Sequence, residues 1–208
     1  MQYYSDDRQD EFSANLLKFK RDGYYVDIGS CASVGSNNTY FFESQLNWKG
    51  ICIEINPIFN DSYKQRTCRY VNQDALTIDY EKLFEEENMP LSIDYLSLDI
   101  DEASVEALKK LPLNKYRFRF ISIEHDSHFH GNIYKDEQRE ILRKLGYFLL
   151  GEDMLNQSGR NIGQEHAWED FWVDPNQFNG EFLEKMYSYR LDVSQMLEKL
   201  KNLQHLNK

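Results

Sequence analysis

Short runs dominated by β-branched and aromatic residues alternate along this chain with longer stretches whose apolar residues recur every three or four positions. The first kind occupies residues 24–28, 50–55, 69–72, 94–98, 117–124, 147–150 and 171–173; the second occupies 36–46, 57–66, 103–111, 136–145 and the amphipathic end, 182–203. Alternation at period 2 suits a strand and recurrence near 3.6 suits a helix. Pro57 opens its helical stretch well, because the N–H it lacks would have no partner there. Strands separated by helices need right-handed crossovers, so the pattern predicts an α/β, Rossmann-like, mainly parallel sheet with helices on both faces. The last two strands suit a hairpin, in which alternation would turn one of Phe171 and Trp172 to the core and the other outward. One domain is expected over 1–208, with a helical extension at 1–22 and a C-terminal helix at 178–208.

In such a sheet, ligands bind beyond the carboxyl ends of the strands. The first strand runs into Asp27-Ile28-Gly29-Ser30-Cys31-Ala32-Ser33-Val34-Gly35. Small side chains there let a ligand approach the backbone, although a plain strand-to-helix turn reads the same, and the dinucleotide fingerprint G-x-G-x-x-G is missing. Glu54 ends the second strand. It is either a solvated edge carboxylate or an acceptor for both hydroxyls of a ribose, with the Asn56-Pro57 turn fixing it at the sheet's mouth. Asp74, past the third strand, could accept from an adenine amino group or be an ordinary loop aspartate. Asp99-Ile100-Asp101-Glu102 and Glu124-His125-Asp126, followed by His128 and His130, end the fourth and fifth strands.

Composition narrows the partners. The 208 residues carry 35 acidic and 24 basic side chains, a formal charge of −11. That balance argues against tracking a nucleic-acid backbone or docking on anionic lipid, and favours neutral or cationic small molecules and sugars. Three cysteines, Cys31, Cys52 and Cys68, form no Cys-x-x-Cys pair. A disulfide framework is therefore not expected and a reducing, cytoplasmic location is. The acidic N-terminus reads as no signal peptide, and no apolar run is long enough for a membrane span.

Six segments, VDIGSCASVGSNNTYFFE, WKGICIEINP, DYLSLDIDEAS, FISIEHD, YKDEQREILRKLGY and EDFWVDP, cover most of residues 24–175. In order and spacing they resemble the FkbM-type family of S-adenosylmethionine-dependent methyltransferases (class I). The resemblance implies seven strands in the order 3-2-1-4-5-7-6, the last antiparallel. It implies that Asp27, Gly29 and the turn Ser30-Cys31-Ala32 hold the methionine part of S-adenosylmethionine. Glu54, with Ile55 beside it, would hold the ribose, and Asp74 with Ala75 the adenine. Asp99 would lie beside the sulfonium and the acceptor. Ser33 stands where the family commonly has a second glycine, which makes Gly35 the candidate for the tight turn.

Methyl transfer is an in-line displacement with a neutral leaving group, so a hydroxyl acceptor needs alignment and a base. His125, which ends a strongly apolar strand, is the first choice of base. Asp99 or Glu124 would orient it, or Asp99 would itself be the base. Asp99, Asp101, Glu124 and His125 could also ligate a magnesium ion, but their spacing matches no recognised ligand pattern, and a metal is not predicted. Asp101, Tyr134, Arg139, Asp170 and Trp172 are the expected substrate-binding residues, with Trp168 as an alternative aromatic. Asp136 and Arg139 could equally be a surface i, i+3 pair. Residues 154–166, polar and glycine-bearing, read as a lid. These features favour O-methylation of a sugar hydroxyl in a glycan or glycosylated metabolite. The alternatives are a nicotinamide-dependent oxidoreductase and a non-catalytic Rossmann-like module. A homodimer through the terminal helix is compatible with all three.

Overall fold

The computed structural model describes residues 1–156 and 166–207. Among these, eight strands form one sheet in the order β3-β2-β1-β4-β5-β7-β6-β8. They are β1 (Tyr24–Ile28), β2 (Lys49–Ile53), β3 (Arg69–Val71), β4 (Ser92–Leu98), β5 (Arg117–Glu124), β6 (Phe148–Leu155), β7 (Ala167–Val173) and β8 (Ser188–Tyr189). β1 to β5 are parallel; β7 runs antiparallel to both β5 and β6. This is the expected architecture with one extra edge strand, β8, parallel to β6.

The helices are α1 (Gln9–Leu16), α2 (Tyr40–Leu46), α3 (Asn60–Tyr63), α4 (Tyr80–Glu86), α5 (Ser104–Lys110), α6 (Ser127–His130), α7 (Ile133–Lys144), α8 (Gly180–Met186) and α9 (Val193–Leu203). Two apolar layers result, one on each face of the sheet. One gathers Phe12, Phe41, Phe42, Tyr95, Phe120 and Phe171 with the α8 and α9 residues Phe182, Met186, Met196 and Leu200. The other gathers Val26, Ile51, Phe84, Leu96, Ile121, Leu142 and Trp172.

That double covering corrects one expectation. Phe171 and Trp172 do point to opposite faces, but both are fully buried, because helices cover each side. α1 is part of the body rather than an appendage: Phe12 lies 5.0 Å from Phe171 and 5.7 Å from Phe120, ring centre to ring centre.

Local chemistry explains the remaining boundary shifts. α2 starts at Tyr40, not at residue 36, because the Asn37 side chain accepts from the backbone N–H groups of Thr39 and Tyr40 at 3.0 and 2.7 Å, a capping role. Stretch 57–66 splits into a 3₁₀ turn and the single turn of α3. The tail is not one helix. Arg190 takes a left-handed backbone, φ 52°, and Asp192 and Gln195 then close a capping box at the start of α9. Met154 and Leu155 belong to β6; of the predicted lid, 157–165 lies outside the described residues.

Candidate functional site

At the carboxyl ends of the parallel strands a cleft of about 460 Å³ opens, a size suited to a small ligand. Its wall takes Gly29 and Cys31 from the end of β1, and Ile53, Glu54 and Ile55 from β2. Gln73, Asp74 and Ala75 follow β3, and Asp99 to Asp101 with Ala103 follow β4. Eight of the residues expected around a cofactor or acceptor therefore share one cavity: Gly29, Cys31, Glu54, Ile55, Asp74, Ala75 and Asp99, with Asp101, expected to bind substrate.

Gly29 is where β1 and β4 close on each other. It sits at φ +82°, and a Cβ there would fall 1.8 Å from the Asp99 carbonyl oxygen, so only glycine fits. The Glu54 carboxylate is aimed by two backbone groups: Cys31 N–H donates to Oε2 at 2.9 Å and Asn56 N–H to Oε1 at 2.7 Å. Each oxygen keeps a further lone pair beyond that bond. Asp74 Oδ1 accepts from Leu76 N–H at 2.8 Å and caps the 3₁₀ turn that carries Ala75.

Asp27, Ser30 and Ala32 act from behind. Asp27 is buried and accepts from Thr39 Oγ1 at 2.7 Å; burial pushes its carboxyl up to about 6. Asn37 Nδ2 donates to the carbonyls of Ser30 and Ala32 at 2.8 and 3.0 Å, and Tyr63 Oη donates to the Ser30 carbonyl at 3.0 Å. Arg66, itself buried, donates to the Ser33 carbonyl, Asn37 Oδ1, Glu43 Oε2 and Tyr25 Oη at 2.6 to 3.3 Å. These contacts brace the loop that follows β1. The left-handed positions are Cys31 (φ 49°) and Ser36 (φ 54°), and Gly35 is not among them.

On the far side of Asp99 lies a second, water-sized void of about 10 Å³. Its wall comprises Gln9, Asn38, Ser97, Leu98, Asp99, Ser122, Glu124, Trp168 and Glu169. Asp99 and Glu124 are hydrogen-bonded to each other. Loss of hydration raises both pKa values, and the Asp99 hydrogen bond and charge add to the effect at Glu124, which is pushed up to about 12. The pair therefore holds its proton on Glu124 and its charge on Asp99. Burial and the pull of neighbouring carboxylates push Asp126 up to about 6 and Glu169 well above the ordinary range. The ligand-capable oxygens of Asp101, Glu124 and Asp126 lie within 4.8 Å of one another.

His125 is placed elsewhere. Its side chain is fully buried and lines neither void. Nδ1 accepts from Ser127 N–H at 3.2 Å, and Nε2 faces Asp153 and Asp170 at 3.5 and 3.7 Å. Burial, helped by the Lys135 charge, lowers its pKa to about 3. The imidazole is thus neutral and away from both voids, at whose boundary Asp99 and Glu124 stand instead. That placement also takes His125 out of the metal set considered from sequence.

Arg139, Asp170 and Trp172 likewise line neither void. Arg139 grips Asp170 with Nε–Oδ2 at 2.7 Å and Nη2–Oδ1 at 2.8 Å, and also reaches Asp153 and Glu152 at 2.8 and 3.0 Å. Asp136, on the exposed face of α7, is no partner of Arg139 in this network. Tyr134 is half-buried on α7, with its ring 5.6 Å from that of His130. Trp168, not Trp172, lines the water-sized void. Gln9, Asn38 and Glu169 are wall residues that local sequence pattern does not single out.

The profile of the methyltransferase FkbM domain matches residues 59–149. No curated protein matches the chain. Among solved structures, the fold is similar to that of TrmK from M. capricolum, solved in complex with its natural cofactor product S-adenosyl-homocysteine. The identity is 14% and the TM-score 0.54, over 96% of this chain and 84% of that one. It is also similar to the METTL16 MTase domain, at 16% identity and a TM-score of 0.54, over 79% of this chain and 66% of that one. At such identities the likeness is one of fold. The chain thus has the Rossmann-like fold of class I methyltransferases, with the FkbM domain profile matching its residues 59–149.

Proposed function

We propose that the chain binds S-adenosylmethionine in the 460 Å³ cleft and transfers its methyl group to a neutral hydroxyl, that of a sugar or glycosylated metabolite. The observation that carries this reading is the sequence of strand tips around one cavity. Gly29 and Cys31 would face the methionine part, Glu54 the ribose, Ile55 and Ala75 the adenine faces, and Asp74 the adenine amino group. Asp99 would stand at the sulfonium, where its negative charge favours the cation. When bound, the cofactor supplies an electrophilic methyl group.

What remains for the chain's own residues is to remove the acceptor's proton. Asp99 carries the charge of the carboxyl pair, so it is the group able to take that proton, with Glu124 donating to it and holding it in place. A carboxylate whose pKa is raised by burial is the stronger base. Among the described residues, the wall of the acceptor side offers carboxylates, amides, hydroxyls and an indole but no lysine or arginine, which disfavours phosphate-bearing acceptors and supports a neutral one.

Titration calorimetry with S-adenosylmethionine, S-adenosylhomocysteine and NAD tests the reading. The two sulfur ligands are expected to bind, and Glu54→Ala to weaken both by roughly ten-fold, about 1.4 kcal/mol. Binding of NAD alone would refute it.

A further inference from the structure

The water-sized void beyond Asp99 has a wall that does not satisfy itself. Three of its residues, Gln9, Trp168 and Glu169, carry a buried polar atom (Oε1, Nε1 and Oε1) with no hydrogen-bond partner among the described residues. Gln9 and Glu169 are each only 4% exposed. The other polar wall atoms are occupied: Asn38 Nδ2 donates to Ser97 Oγ at 3.0 Å, and Ser122 Oγ lies 2.8 Å from Tyr95 Oη. Buried polar atoms without partners cost stability, so unpaired ones around a single small void point to a group that enters it.

We infer that this void is the hydroxyl-binding subsite of the acceptor, with Gln9 of α1 and Trp168 of β7 as specificity-determining residues. The inference deepens the proposed function and rests on its reading of the neighbouring cleft. The unpaired atoms define the guest. Trp168 Nε1–H needs a lone pair to donate to, and Gln9 Oε1 needs a proton to accept. A hydroxyl offers both and is the size of the void. An alkylammonium has no lone pair for Trp168. A carboxylate has no proton for Gln9 and would meet the charge on Asp99. Asp99 and Glu124 form part of the same wall, so a hydroxyl seated there lies beside the proposed base. Asp99 also borders the cofactor cleft, so that hydroxyl is separated from it by one side chain.

Crystals of the protein with S-adenosylhomocysteine, soaked separately in ethylene glycol, methylammonium and acetate, give the test. A glycol hydroxyl is expected in the void within about 3.2 Å of Trp168 Nε1 and Gln9 Oε1, and neither ion is expected there. In Gln9→Leu and in Trp168→Phe, which removes the N–H donor while keeping an aromatic ring, the glycol should be lost while S-adenosylhomocysteine affinity stays unchanged, because neither residue borders the cofactor cleft. A void that stays dry or holds only water in the glycol soak overturns the inference, as does methylammonium in it, or glycol equally bound in both variants. S-adenosylhomocysteine missing from the cleft would instead overturn the proposed function, so the two failures are distinguishable.

Discussion

The charge on Asp99 and the proton on Glu124 give these neighbours different mutational signatures. Asp99→Asn removes the proposed base and should lower turnover by about 10²–10⁴-fold, with binding of the sulfur-neutral S-adenosylhomocysteine nearly kept. Glu124→Gln keeps a donor toward Asp99 and should lower turnover less. It should also stabilise the protein. Burial and the Asp99 interaction push the folded Glu124 carboxyl up to about 12, so the folded state binds a proton that the unfolded state releases near pH 4.3. Stability is then lost as pH rises above that value, and the glutamine variant escapes the loss. Its melting temperature should exceed the wild type's above pH 5, by a margin that grows with pH; a lower one at pH 8 would refute the assignment. At this scale the sequence is readable where a residue's place along a strand settles its role. Glu54, Asp74 and Asp99 each follow an apolar run, and each stands on the cleft wall. It is unreadable where packing across the chain decides. His125 ends β5 as Asp99 follows β4, but the backbone turns there, Asp126 taking a φ of 43°, and the imidazole is buried beside Asp153 and Asp170 instead.

Elements show the same division. The central strands are legible because their β-branched and aromatic residues admit little else. The break between α8 and α9 is hidden by continuous apolar spacing over 182–203, although the Asp192-x-x-Gln195 pair is a start signal that a capping search would find. α4 escapes the periodicity for a similar reason: it is a seven-residue helix whose Asp79 cap is its clearest mark. α7 is tied to the sheet through Arg139, whose guanidinium spans Glu152, Asp153 and Asp170 on β6 and β7. Truncating Arg139 to Met leaves Asp170 buried without its counter-charge, while Asp153 keeps Lys135 at 2.9 Å; breaking such a buried pair typically costs about 3–5 kcal/mol. Urea denaturation should register that loss, whereas a true acceptor-binding arginine would alter substrate affinity and leave the midpoint in place. Gln9 and Glu169, about 160 residues apart in the chain, meet only because α1 packs against β7, and no local pattern announces such a meeting.

For the whole molecule, opposing titrations shape the response to acid. His125, lowered to about 3, sits below its unfolded value near 6.5, so the unfolded state takes up the proton first and stability falls as pH drops below about 6.5. Asp27 and Asp126, raised to about 6, and Glu124 work the other way and stabilise the folded state as pH falls. Three carboxyls outweigh one imidazole, so the wild type's melting temperature should rise as pH falls from 7 to 5, and that of His125→Asn, in which only the carboxyls remain, should rise more steeply; calorimetric scans at several pH values decide it. The bracing of the first loop reaches further than the cleft it borders. With Arg66 clamped to Ser33, Asn37, Glu43 and Tyr25, and Asn37 in turn holding Ser30 and Ala32, that segment has few conformations left to surrender when a ligand arrives. Association there should be a single, fast, concentration-proportional step in stopped-flow records, without the slow saturating phase that a folding-on-arrival loop would impose.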